Sequence, residues 1–121
     1  MKLSFPSILE IVTSFYAKAT TDILIGYHFR FIEDFDDHLP RIASFWQLKL
    51  TGSIDNREQL PFNIIELHEV LKLNKGEVHR WVILFEKTLV EFIDSGVITD
   101  VQKNEWMAKV ETFKTKILTL C

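Results

Sequence analysis

The segment 77–93, EVHRWVILFEKTLVEFI, decides the fold class of this 121-residue chain. Its apolar residues recur every three or four positions, which is the spacing of one face of an α-helix. The following Ser95-Gly96 pair predicts the end of that helix. The apolar face comprises Val78, Trp81, Val82, Phe85, Leu89 and Phe92.

Capping signals predict one helix after this segment and one near the N-terminus. Thr99 and Gln102 have the spacing of a capping box, and so do Ser7 and Glu10. Gly26 is a plausible stop for a helical stretch through 23–25. The apolar face of the last helix comprises Trp106, Val110, Phe113, Ile117 and Leu120. The apolar face of the first helix comprises Ile8, Ile11, Val12, Phe15 and Ala19, with Tyr16 at its edge.

The middle of the chain is also helical by its pattern. Asp36 or Asp37 can cap a helix whose first turn tolerates Pro40, and Thr51-Gly52 follows its apolar stripes. These stripes are His38, Ile42 and Phe45 beside Leu39, Ala43, Trp46 and Leu50. A polar loop and a short helix over 63–70 come next. We therefore expect an all-α fold in a single domain, residues 1–121.

Composition restricts the class of function. Apolar residues make up 47% of the chain and charged residues 26%, as in folded globular domains, and the formal net charge is −3. No basic patch predicts a nucleic-acid or anionic-membrane partner. No apolar run approaches the roughly 18 residues that span a bilayer. The single cysteine, Cys121, allows no internal disulfide, so we expect a cytoplasmic protein.

Motifs for common enzyme chemistry are absent from the sequence. There is no Glu-x-x-His pair for a di-iron centre and no His-x-x-x-His or cysteine pair for zinc. Glycine-rich phosphate loops and nucleophile elbows are missing too. An ordinary hydrolase or transferase is therefore disfavoured.

Two histidines stand out, because His38 and His68 each lie at the start of an apolar helical stripe. A buried imidazole is costly unless something binds it, so two that face one core suggest a metal or cofactor. With one cysteine and no acidic metal motif nearby, haem is a suitable candidate because it brings most of its own ligands. Taken singly, His68 is more often a core or helix-end residue and His38 a surface residue. Arg41 would usually be a solvated charge.

Three strings carry a resemblance to a known family. FYAKATTDILIGYHF (15–29), DDHLPRIASFW (36–46) and ELHEVLKLNKGEVHRWVILFEKTL (66–89) resemble the truncated, 2-on-2 globins of the third group. The resemblance covers about residues 15–92 and depends on several landmarks in a fixed order. It implies a globin-like 2-on-2 helical sandwich that binds haem b.

The resemblance assigns a role to each matching position. His68 matches the proximal histidine that ligates iron. Tyr16, His38 and Trp81 match the distal pocket, where the reaction would occur. The expected contacts to the cofactor are Phe29, which wedges against the porphyrin, Arg41 near a propionate, Ile42, Phe45, His68 and Trp81, while Trp46 packs behind Phe45.

This ligand set leads us to expect a globin that binds dioxygen, nitric oxide or carbon monoxide. Hydrogen bonds from Tyr16 and Trp81 would slow oxygen release, which favours nitric-oxide dioxygenation or peroxidase-like chemistry over transport. Either reaction needs a reductant that this chain does not encode. A non-catalytic sensor or storage globin, in which His38 gates entry or closes on iron, and a haem-free interaction protein are the alternatives. We expect a monomer.

Overall fold

The described part of the chain consists of helices. The computed structural model describes residues 3–23, 25–26, 35–52 and 75–119, with the backbone alone for 35–38. No β-strand occurs in these ranges, so the all-α prediction is confirmed for them. The short helix expected over 63–70 lies outside them. The helices are α1 (Phe5–Ala19), α2 (Phe35–Thr51), α3 (Lys75–Asp94) and α4 (Asp100–Leu118).

The four helices form a closed arrangement around one apolar interior. Helix α1 packs against α2 and α3, and α4 completes the arrangement by packing against α3 and α2. The buried apolar residues of all four helices belong to one continuous core cluster. Segments far apart in the sequence therefore share a single hydrophobic core.

Helix α1 buries the face that its sequence predicts but begins earlier than expected. The five apolar residues of the predicted stripe are all fully buried, and Tyr16 lies at their edge. The prediction that Ser7 is the N-cap is wrong. Ser4 caps the helix, and its hydroxyl accepts a hydrogen bond from the Ser7 backbone N–H at 3.3 Å. Pro6 fits in the first turn because the backbone N–H it lacks would have no partner there.

The turn after α1 differs from the expected helical stretch. Helix α1 ends at Ala19, and Ile23 and Ile25 lie in turns. Gly26 is buried against the end of α1, where an added Cβ would lie 2.8 Å from the Thr20 carbonyl oxygen. A glycine is needed at this position because two backbone segments approach each other closely.

Helix α2 begins before the predicted cap. It starts at Phe35, so neither Asp36 nor Asp37 is its N-cap, and Pro40 lies inside the helix instead of in its first turn. Pro40 removes one backbone hydrogen bond near the N-terminal end, where the cost is smaller than at the centre of a packed helix. The predicted end is confirmed, because Gly52 has φ +82° and its N–H donates to the Leu48 carbonyl at 2.9 Å.

The centre of α2 is buried around its whole circumference. Six consecutive residues, 42–47, are each less than a tenth exposed, and they span more than one helical turn. They include two polar side chains, Ser44 and Gln47. A helix buried on all sides is a core element, and it positions any functional residue it carries with little freedom.

The connection between α3 and α4 matches its sequence signals closely. Gly96 has φ +82°, and the Gly96 and Val97 N–H groups donate to the Ile93 and Phe92 carbonyls at 3.0 and 2.9 Å, which is a Schellman motif. The Thr99–Gln102 capping box is confirmed by two reciprocal hydrogen bonds of 2.9 and 3.1 Å. The buried face of α4 comprises Trp106, Met107, Val110, Phe113 and Ile117, and the predicted Leu120 lies outside the described residues.

Phe85 of α3 lies at the centre of an aromatic core that receives a ring from every helix. Its ring centroid is 4.9 Å from Phe15 of α1, 5.4 Å from Trp46 of α2 and 5.5 Å from Trp106 of α4. It is 1% exposed. Such pairs stabilise a fold beyond the area they bury.

We expect Phe85→Ala to lower the free energy of unfolding by about 3–5 kcal/mol, because the cavity would break contacts with three other helices at once. Urea denaturation monitored by circular dichroism measures this. Ile83→Ala, in the same helix at a side chain 57% exposed, is the matched control and should change stability by less than about 0.5 kcal/mol. Equal effects of the two substitutions would contradict the central place of Phe85.

Candidate distal site

The predicted site residues differ in how far the structure describes them. Phe29 and the predicted iron ligand His68 lie outside the described residues, and His38 is described only as part of the α2 backbone. The site geometry therefore comes from the remaining positions. These are Tyr16 on α1, Arg41, Ile42 and Phe45 on α2, and Trp81 on α3.

Helix α2 contributes an apolar surface. Ile42 and Phe45 are three residues apart, so they lie on the same face of the helix, and they are 8% and 7% exposed. Phe45 packs edge-on against Trp46, with ring centroids 5.1 Å apart, which confirms the packing role expected of Trp46. Arg41 is half-buried beside this face. This face is packed into the core, where Phe45 also contacts Phe113 of α4 at a centroid distance of 5.5 Å, and Arg41 lies at its margin.

Trp81 of α3 is fixed by aromatic contacts on several sides. Its ring meets Phe15 of α1 edge-on, with centroids 6.0 Å apart and planes at 87°, and lies 5.6 Å from Phe85 and 6.2 Å from Phe113. The side chain is 7% exposed. Packing on this scale restricts the indole to one orientation.

Tyr16 of α1 lies on the other side of Phe15. The two rings are 4.9 Å apart at 83°, again edge-on, and Tyr16 is half-buried against the core. Burial raises the pKa of the Tyr16 hydroxyl above its ordinary value of 10.0. The hydroxyl therefore stays protonated, and able to donate a hydrogen bond, throughout the neutral range.

Phe15 is the residue that brings Tyr16 and Trp81 together. Its fully buried ring contacts both side chains, so the phenol of α1 and the indole of α3 share one neighbouring ring. Both are amphipathic groups with one polar atom on an apolar body. The phenol and the indole are therefore both held at the apolar core.

One feature near this site was missed by the sequence analysis. Asp22, in the turn after α1, accepts two hydrogen bonds from Arg80, the residue before Trp81. The two residues are 58 positions apart, and no local pattern links them. Nearby, Lys18 forms a second ion pair with Glu91 at 3.1 Å.

A broad groove of about 730 Å³ lies away from these residues. It runs between the start of α1, the end of α2 and the α3–α4 connection, and its lining includes Leu3, Leu50 and Val97. None of the site residues that the structure describes lines it. The groove therefore gives no support to the predicted site.

Searches for other kinds of site and for relatives gave negative results. Within the described ranges, no three histidine, cysteine, aspartate or glutamate side chains form a group able to hold a metal ion. None of the described helices has both the length and the apolar character needed to cross a bilayer. No protein-family model, curated protein or solved structure matches this chain.

The raised pKa of Tyr16 gives a direct test of its burial. The chain has two tyrosines, so Tyr27→Phe leaves Tyr16 as the only phenol. We expect this tyrosine to ionise well above pH 10.0 in the folded protein and near pH 10 after unfolding. An alkaline titration of phenolate absorbance, with and without denaturant, measures both values.

The same shift has a consequence for stability. Because folding favours the neutral Tyr16 hydroxyl, the stabilisation linked to its raised pKa is fully present below pH 10. This stabilisation is lost as the pH rises above that value. Tyr16→Phe removes an ionisable group and should flatten this alkaline decline. A Tyr16 titration at the ordinary value in folded protein would show that the hydroxyl is solvated.

Proposed function

We propose that this chain is a haem-binding globin of the truncated, 2-on-2 type that binds dioxygen or other diatomic ligands and supports redox chemistry on them. The observation that carries the proposal is the meeting of Tyr16 and Trp81 on the buried ring of Phe15. The resemblance of the chain to the third group of these globins supports it independently. So does the all-helical architecture of the described residues.

The residues of the site fit a haem in their chemistry. Ile42, Phe45 and Trp81, which are nearly buried at 7–8% exposure, are the apolar residues that would contact the porphyrin. Arg41 would pair with a propionate, because a guanidinium suits carboxylate geometry. His68 would supply the imidazole ligand, with Phe29 against the ring. A bound haem would supply an iron able to hold a diatomic ligand.

Tyr16 and Trp81 would control how long the ligand stays. Both are neutral donors at neutral pH, and burial raises the pKa of Tyr16 further from this range. A hydrogen bond to a group carrying charge contributes about 1.5–3 kcal/mol, which is about one to two orders of magnitude in affinity. Slow release suits chemistry on the bound ligand better than transport. Nitric-oxide dioxygenation and peroxidase-like cleavage are the proposed reactions, and each needs an external reductant.

The haem proposal is tested by absorption spectroscopy. We expect the protein, expressed with a supply of haem, to show a Soret band that is lost or strongly shifted in His68→Ala, because the iron loses its protein ligand. His79→Ala is the matched control, since His79 is an exposed residue of α3. Absence of a Soret band from the unaltered protein would reject the proposed function, and its persistence unchanged in His68→Ala would reject the ligand assignment.

The role of the two donors is tested by stopped-flow oxygen dissociation. Tyr16→Phe and Trp81→Phe should each accelerate dissociation by roughly tenfold or more, because each removes one hydrogen bond to the ligand. Ile83→Ala is the control, since Ile83 lies on α3 like Trp81 but its side chain is 57% exposed. Unchanged rates in both site variants would show that these side chains only pack.

A further inference from the structure

The Asp22–Arg80 ion pair joins α1 to α3 beside the candidate site. Arg80 donates through Nε and Nη2 to the same carboxylate oxygen of Asp22, Oδ2, at 3.0 and 2.8 Å. The Asp22 side chain is only 7% exposed, whereas that of Arg80 is 37% exposed. The carboxylate is thus held inside the protein by a guanidinium at its edge, and the pair raises the pKa of Arg80 above its ordinary value.

Asp22 also organises the turn that follows α1. Its other carboxylate oxygen accepts the Ile25 N–H at 3.3 Å, and its carbonyl accepts the Gly26 N–H at 2.9 Å. Gly26 in turn packs tightly against Thr20, the C-cap of α1. Asp22 is therefore the centre of a compact turn and not a side chain on a loose loop.

Hydrogen bonds connect this turn back to Tyr16. The Tyr16 carbonyl accepts both the backbone N–H and the hydroxyl of Thr20, at 3.0 and 2.8 Å. A displacement of the turn would therefore move the last turn of α1, where Tyr16 lies. At the other end of the pair, Arg80 directly precedes Trp81 in α3.

Among the described residues, the Asp22–Arg80 pair joins the turn after α1 to α3 and the Lys18–Glu91 pair joins α1 itself to α3, and the two pairs differ in exposure. Arg80 and Glu91 are eleven residues apart on α3, about 16 Å along the helix. Glu91 is 46% exposed where it meets Lys18, so solvent screens that pair. The nearly buried carboxylate of Asp22 is screened far less, so this pair has more influence on the separation of the helices.

We propose that Asp22 and Arg80 are positioning residues that fix the Tyr16 hydroxyl and the Trp81 indole relative to one another across Phe15. The effect of the pair on ligand binding rests on the proposed function, because a small ligand held by two donors binds well only if both donors are correctly placed. Hydrogen bonds weaken steeply as distance and angle depart from their optimum. Loosening the pair would therefore weaken both donors without removing either.

The placement of Tyr16 is measured by the alkaline titration, in the full-length protein carrying Tyr27→Phe. Asp22→Asn removes a negative charge and Arg80→Gln a positive one, so direct charge effects on Tyr16 would have opposite signs. If the pair acts through position, both variants increase solvent access to Tyr16 and lower its pKa towards 10.0. Glu91→Gln, which breaks the exposed pair, is the matched control and should leave the titration unchanged.

Oxygen dissociation measures the consequence for ligand binding. Asp22→Asn and Arg80→Gln should each accelerate dissociation by about threefold, less than the loss of a whole donor. Arg80→Lys keeps the positive charge but loses the pair of guanidinium hydrogen bonds. Its oxygen dissociation rate should therefore lie between those of the unaltered protein and Arg80→Gln. Glu91→Gln should match the unaltered protein.

The two measurements separate failure of this inference from failure of the proposed function. A protein without a Soret band rejects the haem function, and the titration still decides whether the pair positions Tyr16. Opposite shifts of the Tyr16 pKa in the two variants overturn the inference, because the pair then acts on Tyr16 only through its charges. No shift of that pKa in either variant also overturns it, because the pair then contributes only to stability. If both variants lower the pKa of Tyr16 but leave oxygen dissociation unchanged, the expected effect of the ion pair on ligand binding is overturned.

Discussion

The contact of the Phe85 ring with one aromatic ring from each other helix is the interaction on which the rest of the structure depends. Phe15, Trp46 and Trp106 all lie within 5.5 Å of it, centroid to centroid. Because Phe15 also separates Tyr16 from Trp81, the same packing that closes the core places the candidate donors. Stability and site geometry therefore share one set of side chains, and a change in the core would be felt at the site.

Local signals predicted those parts of the fold in which few alternatives compete. Thr99 and Gln102 are a single well-spaced capping pair, and the structure contains that capping box. The start of α1 was placed wrongly because two serines, Ser4 and Ser7, can both cap it, and the choice depends on how the first turn packs. Pro40 was expected in a first turn for a similar reason, but the packing of α2 extends that helix past the proline. Helix faces are set by periodicity, whereas helix ends are set by competition between neighbours.

In the candidate site too, some features follow from the local sequence and others only from tertiary packing. Tyr16 and Trp81 could be selected from the sequence because a resemblance orders them, but their meeting at Phe15 is a property of the packed structure. The Asp22–Arg80 pair could not be foreseen, since an aspartate in a turn and an arginine on a helix are usually solvated surface charges. Only tertiary structure buries Asp22 and brings the guanidinium to it over 58 residues. The candidate side chains could therefore be selected from the sequence, whereas the ion pair beside them depends on tertiary structure.

The aromatic core also gives the molecule an internal optical reporter. All three tryptophans of the chain, Trp46, Trp81 and Trp106, contact the ring of Phe85 and are nearly or fully buried. Their tryptophan fluorescence comes from one cluster at the junction of α2, α3 and α4. Emission from the intact protein thus reports on a single region, the one that both closes the core and borders the candidate site.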